Sequence, residues 1–187
     1  AERIDLVHRH DVPRFERVSW RFLDPHVDTT LRVRGWWRAL SQAEQDAISR
    51  RFWEVGRLTL EHWLIPRLTS RTIHPWPQTE VVEARPVAGG RELQVRLSNA
   101  EELLVDQVIF ATGYQADLAR VPYLAGVLDR VDITDGFPKL DEAFGASLSG
   151  LYLPGFAATR DFGPFFGFVK GSPAAATLIV RDLLARP

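Results

Sequence analysis

Three groups of residues in this 187-residue chain have side chains and spacing suited to holding a ligand. The first is His8, Arg9 and His10, followed by Arg14 and Arg17 beyond Pro13. A guanidinium can offer a phosphate two parallel hydrogen bonds, whereas an imidazole is partly neutral near neutral pH. Arg9 is therefore the leading anion contact, with His8 and Arg14 beside it. A solvated basic turn reads equally well from these residues alone. The His8-x-His10 pair lacks a third His or a carboxylate at ligand spacing, so no metal site is expected.

The second group is Asp106 to Tyr114, DQVIFATGY, where an apolar run stops at Thr112-Gly113. A glycine there lets backbone approach a bound group with no Cβ in the way. The third is the glycine- and phenylalanine-rich stretch containing Gly155, Phe156, Gly163, Phe165, Phe166, Gly167 and Phe168. Its aromatic rings, Phe162 included, could keep water from a reaction. Its polar members are Arg160, Asp161 and Lys170. Arg160 could orient an anionic group, and a surface pairing with Asp161 is equally open. No convincing Ser/His/Asp triad accompanies these groups, so the catalytic residues stay unassigned.

The elements that must position them follow from periodicity. Glu2 to His8 alternates like a strand and places the basic cluster just past its end. Val108 to Ala111 reads as a fully buried strand that stops at the carboxyl edge of an α/β sheet, where ligands sit. Trp20 to Leu40 is aromatic and Arg-rich. Its Trp36-Trp37 pair, with Arg32 and Arg34, could stack on bases, but buried aromatics packing a connector are the preferred reading. Ser41 and Glu44 form a capping-box start for a helix with Ile48, Phe52 and Val55 on one face, and Pro66 limits any continuation.

Arg71 to His74 is a short strand. Glu80 to Pro86 and Arg91 to Ser98 form a hairpin about Gly89-Gly90, and Leu103 to Val105 adds a third strand. After Tyr114 comes a connector with one helical turn near Asp117 to Arg120. Leu151 to Leu153 is a short strand ending at Pro154-Gly155. The final helix starts at Ser172, which can cap it, with Pro173 at its first position.

Composition narrows the class. With 45% hydrophobic residues the chain can bury a core, and a net charge of -1 argues against a general nucleic-acid binder. The absence of Cys excludes a disulfide framework, Cys-ligated zinc and a redox dithiol within these residues. No signal-peptide pattern or long apolar span is visible, so a cytoplasmic protein without membrane association is the default.

The ordered segments ATGY (111–114), DGFPKLD (135–141) with SGLYLPG (149–155), and FGPFFGF (162–168) resemble the closing part of flavin-dependent, NADPH-using monooxygenases. These are the flavin-containing, N-hydroxylating and Baeyer–Villiger types, which bind two dinucleotides. The resemblance implies an α/β fold. Residues 1–113 would be a partial Rossmann-like NAD(P)H-binding domain with a β-meander, and 114–187 the carboxyl-terminal return segment of an FAD-binding domain. It implies FAD and NADPH as cofactors, a small-molecule substrate, and formation of a C4a-peroxyflavin that oxygenates it.

His8, Arg9 and Arg14 would then read the NADP 2′-phosphate. Thr112, Gly113, Tyr114, Gly155, Phe156, Gly163, Gly167 and Phe168 would contact cofactor, and Arg160, Phe165 and Phe166 substrate. The chain contains no GxGxxG turn. The expectation is that an amino-terminal portion of the same protein carries both phosphate-binding turns, and that these residues alone do not turn over. A homo-oligomer is compatible with the family. A flavin dehydrogenase or oxidase without oxygenation, and a cofactor-free interaction module built on the same fold, are the alternatives.

Overall fold

A computed structural model describes residues 2–11, 14–17, 19–57 and 59–186. The chain divides into two compact units. One comprises residues 1–18 and 57–113, the other 19–56 and 114–187. The helical segment 19–56 clusters with the later residues, because its aromatic side chains share their core.

In the first unit, β1 (Ile4–Val7) pairs in parallel with β4 (Ile73–Trp76), with Ile4 opposite Ile73 and Val7 opposite Trp76. The His8 amide extends the ladder by donating to the Trp76 carbonyl at 3.1 Å. A shorter parallel pair joins β2 (Arg14–Phe15) to β3 (Thr59–Leu60), and α4 (Ile65–Leu68) follows with Pro66 in its first turn. Pro66 is tolerated there because the N–H it lacks would have no intrahelical partner.

The predicted meander forms as β5 (Val81–Pro86), β6 (Leu93–Leu97) and β7 (Glu102–Val105), antiparallel in that order. Alternation decides its faces. Val95 and Leu97 of β6 and Leu103 of β7 are buried, while Gln94 and Arg96 between them are exposed. Val7, Trp76 and Val108 pack on that buried face. Trp76 also fixes β1 to β4, its indole N–H donating to Asp5 at 2.8 Å while Arg3 holds the same carboxylate. Partial burial works against ionisation of Asp5, yet the hydrogen bonds from Arg3 and Trp76 prevail and keep its pKa below the usual value.

In the second unit, α1 (Asp24–Arg32), α2 (Trp36–Ala39) and α3 (Gln42–Arg57) precede a small hairpin of β8 (Ile133–Thr134) and β9 (Phe137–Pro138). Then come α5 (Thr159–Phe162) and α6 (Ser172–Ala185). The capping box is present. Glu44 accepts from the Ser41 amide at 2.8 Å and its hydroxyl at 2.7 Å, while the Glu44 amide meets the Ser41 hydroxyl at 3.4 Å. The core gathers Leu23, Trp37, Phe52, Leu140, Phe144, Phe162, Phe165 and Phe166. Each buried aromatic of this kind contributes about 1.5–3 kcal/mol. Phe144 and Phe162 stack at 3.7 Å. The preferred reading of Trp37 as a packing aromatic agrees with its 5% exposure.

Three local expectations are corrected. Residues 107–113 belong to no strand, and Ile109 and Phe110 are 88% and 75% exposed. An apolar run becomes a strand only when neighbouring backbone satisfies its N–H and C=O groups, and no described segment flanks this one. Leu151 to Leu153 forms only a single antiparallel bridge between Tyr152 and Gly145. The start of α6 is preceded by Gly171 at the cap position, and Ser172 makes no capping bond. Pro173 lies in the first turn as expected.

Candidate functional site

In the first unit, the basic cluster lies immediately beyond β1. The His8 ring nitrogen Nδ1 is 2.9 Å from the His10 carbonyl oxygen, which fixes the turn. Arg9 projects into solvent with its side chain 73% exposed, and its Nε lies 4.0 Å from a Glu80 carboxylate oxygen. A pair this long and this wet holds the guanidinium weakly. Arg14, on β2, is also exposed, while Val12 and Pro13 lie outside the described residues. Thr112 and Gly113 are exposed at the end of the apolar segment, and Tyr114, which opens the second unit, is 94% exposed.

In the second unit, Gly155 adopts φ 89° and ψ -147°, and a Cβ placed there would meet nothing within 4 Å. Its backbone thus faces open space in a conformation that side-chain-bearing residues avoid. The chain continues as a 3-10 turn over Phe156–Ala158 and then α5. Phe156 is 45% exposed, and its carbonyl accepts from the Thr159 hydroxyl at 2.8 Å. Gly167 sits beside Thr159 and Phe156.

Gly163 has a different reason to be glycine. At φ 94°, its missing Cβ would lie 2.5 Å from the Phe165 ring. Close packing there is what seats Phe165 in the core.

Phe165 and Phe166, the expected substrate contacts, are 0% and 2% exposed. Phe165 lies parallel to His26 and Trp36, with centroids 5.4 and 6.1 Å away, and edge-on to Trp37. Burial pushes the His26 pKa below its usual value. Phe168 is 40% exposed, 5.9 Å from the Trp20 ring and 5.3 Å from that of Phe52.

Arg160 is not paired with Asp161. Its guanidinium donates to the Thr134 carbonyl at 2.7 Å and reaches Asp135 at 3.4 Å. Asp161 instead accepts from the Leu140 amide at 2.8 Å. The two residues anchor the β8–β9 hairpin and the segment after it to α5. Lys170 pairs with Asp24 at 2.5 Å.

Sequence reasoning missed the His26 contact and the Asp5–Trp76 bond. The only available hint of the second was an acid inside an otherwise apolar strand. It also missed Tyr152, whose hydroxyl donates to Asp182 at 2.5 Å while Arg186 lies over its ring at 5.3 Å.

Comparison with known proteins bears on the fold as a whole. No family model and no curated protein matches the sequence. Solved structures do match. The ornithine hydroxylase PvdA of Pseudomonas aeruginosa superposes with a TM-score of 0.66 at 17% identity, covering 96% of this chain and 45% of that one. The ornithine N-hydroxylase KtzI of Kutzneria sp. 744, described with reduced FAD, NADP+ and L-ornithine, gives 0.69 at 14%, covering 98% and 54%. The L-lysine 6-monooxygenase of Pseudomonas syringae gives 0.61 at 18%, covering 98% and 46%.

The chain has the fold of these monooxygenases. It spans about half the length of the N-hydroxylating enzymes it matches. At this identity the likeness fixes the monooxygenase fold and leaves the chemistry to be argued from the residues. Among the described residues, no helix is long and apolar enough to cross a membrane.

Proposed function

We propose that this chain is the carboxyl-terminal part of an FAD- and NADPH-dependent monooxygenase that oxygenates a small organic substrate. The observation that carries the reading is the superposition of 96–98% of the chain on solved structures of ornithine and lysine hydroxylating enzymes, one of them described with reduced FAD and NADP+. The first unit would serve as the NAD(P)H-binding portion and the second as the returning piece of the FAD-binding portion.

The residues present fit such cofactors. Arg9 offers an exposed guanidinium in a weak ion pair, suited to a 2′-phosphate, with Arg14 and His8 as further basic contacts. Gly155 leaves its backbone open to close approach, and Gly113 does the same at φ 87°. Flavin, when bound, supplies the redox chemistry that activates dioxygen. Thr112, Tyr114, Phe156, Gly163, Gly167 and Phe168 remain assigned to its surroundings. The half-exposed rings of Phe156 and Phe168 present apolar faces that exclude water.

Arg160 acts by holding the β8–β9 hairpin, and Phe165 and Phe166 by fixing the glycine-rich turns. Primary amines are the first substrates to test, since the matched enzymes act on ornithine and lysine.

The decisive experiment is to purify the product of the whole reading frame, record its flavin absorption, and measure NADPH-driven oxygen consumption with and without a panel of primary amines. Bound flavin with amine-stimulated oxygen uptake and hydroxylamine product is the expected result. Bound flavin with amine-independent turnover would indicate a plain oxidase, and absence of flavin after reconstitution would remove the reading.

A further inference from the structure

The turn between β8 and β9 joins two residues whose side chain and backbone can react with each other. Ile133 and Thr134 pair with Pro138 and Phe137, so Asp135 and Gly136 form a two-residue loop. Both have positive φ, 52° and 81°, as a type I′ turn requires. Asp135 is the only aspartate in the chain that glycine follows. With no side chain beside its nitrogen, a glycine amide is the least hindered nucleophile toward the preceding carboxyl carbon. The Asp135 side chain is 84% exposed, so water has access to it.

The same turn is braced from outside. Arg160 donates to the Thr134 carbonyl at 2.7 Å and to an Asp135 carboxylate oxygen at 3.4 Å. The Gly136 carbonyl accepts from the Leu118 amide at 3.3 Å. A Cβ on Gly136 would strike the Ala116 carbonyl oxygen, so the turn's backbone lies directly against residues 116–118. Each strand is only two residues long, and so short a hairpin depends on these outside contacts to stay closed.

We propose that Asp135 is a site of spontaneous isoaspartate formation, and that the Arg160 brace sets its rate by keeping the turn closed. The Gly136 amide nitrogen gives its proton to water and bonds to Asp135 Cγ, while a carboxyl oxygen leaves as water. Water then opens the succinimide ring at either carbonyl. Opening at the Asp135 main-chain carbonyl leaves the chain running through Cβ and Cγ, with the α-carboxylate as the new side group. Water lost in the first step is regained in the second, and no other reactant is consumed. Ring closure requires rotation about the Cα–C and Cα–Cβ bonds of Asp135, which the Arg160 contacts oppose. Once formed, the isomer lengthens a turn that has no slack, so the hairpin loses its fit to Arg160 and to residues 116–118.

The test is to incubate the 187-residue chain for several weeks at neutral pH and physiological temperature, digest it, and quantify isoaspartate peptide by peptide with a methyl-accepting assay and chromatography. Isoaspartate is expected to accumulate at residue 135 above every other aspartate, more slowly than in the same chain held unfolded in urea. Arg160→Ala should raise the folded rate about fivefold, the factor for losing a hydrogen bond of ordinary net strength, and leave the rate in urea unchanged. Arg160→Lys, which keeps the charge and a single donor group, should fall between. The isomerised chain, once separated, should melt below its parent. Ser41→Ala weakens the same unit away from this turn and should leave the rate unaltered; acceleration equal to that of Arg160→Ala would mean general destabilisation and overturn the brace. Identical rates in Arg160→Ala and the parent overturn it too. Isoaspartate at residue 135 in urea but none in the folded chain overturns the site.

Discussion

The indole N–H of Trp37 donates to the carbonyl oxygen of Arg160 at 3.1 Å, joining α2 to α5 across 123 residues of sequence. The same ring meets Phe165 edge-on at 5.8 Å, so one side chain ties the early helices to the glycine-rich turns by both packing and polarity. Trp37→Phe keeps most of the packing and orphans a carbonyl, which should cost about 1–3 kcal/mol in chemical denaturation. Trp37→Ala should cost about 3–5 kcal/mol. Equal losses for the two variants would show that the hydrogen bond dominates and the packing contributes little.

Gly163 and Gly155 should respond differently to alanine. Both would be strained by their positive φ, but only at Gly163 does the new methyl also strike Phe165. Gly163→Ala is expected to destabilise the chain by about 2–4 kcal/mol, and Gly155→Ala by about 1–2 kcal/mol. In the product of the whole reading frame, Gly155→Ala should weaken flavin retention beyond its effect on melting. Unfolding curves and flavin titration separate the two effects.

Arg9→Ala should weaken NADPH much more than NADH in the product of the whole reading frame, because only NADPH carries the 2′-phosphate. A loss of about tenfold or more in NADPH affinity with NADH unchanged is expected for a charge-assisted contact. Parallel losses for both nucleotides would transfer the role to Arg14 or His8.

The position of His26 predicts a pH dependence. Burial lowers its pKa in the folded chain below the usual 6.5, so the unfolded chain binds its proton more readily. Its contribution is in place above that value and is lost as pH falls through the window below it. Melting followed from about pH 8 down to about pH 5 should show a decline that His26→Gln reduces. An unchanged profile in the variant would place the acid sensitivity elsewhere.

The Ser41–Glu44 reciprocal cap gives a stability prediction of its own. Ser41→Ala should destabilise α3 by about 1 kcal/mol, read from helical circular dichroism on heating. Glu44→Gln can keep the return bond to the Ser41 amide and should cost less.

Much of the local structure was legible because neighbouring residues specify it. The capping box, the meander with its glycine turn and the Pro173 helix start all depend on contacts within a short stretch of chain. The apolar run 108–111 was misread for the converse reason. Its unbroken apolar character and propensity suit a buried strand, but pairing requires backbone from elsewhere, and that requirement leaves no mark within the run. Arg160 was ambiguous because its two partners, Thr134 and Asp135, lie 26 and 25 residues away.

The sequence by itself determined the capped start of α3, the Pro173 start of α6, which strand faces are apolar, and the order of segments that resembles a flavin monooxygenase. Those properties arise from short-range sterics and periodic hydrophobicity, which any window of the chain carries. Only the tertiary structure decided that Phe165 and Phe166 lie in the core, that Arg160 braces a hairpin, and that Ile109 and Phe110 stand uncovered. Each of these depends on which distant surface a side chain meets, and packing settles that after the local elements have formed.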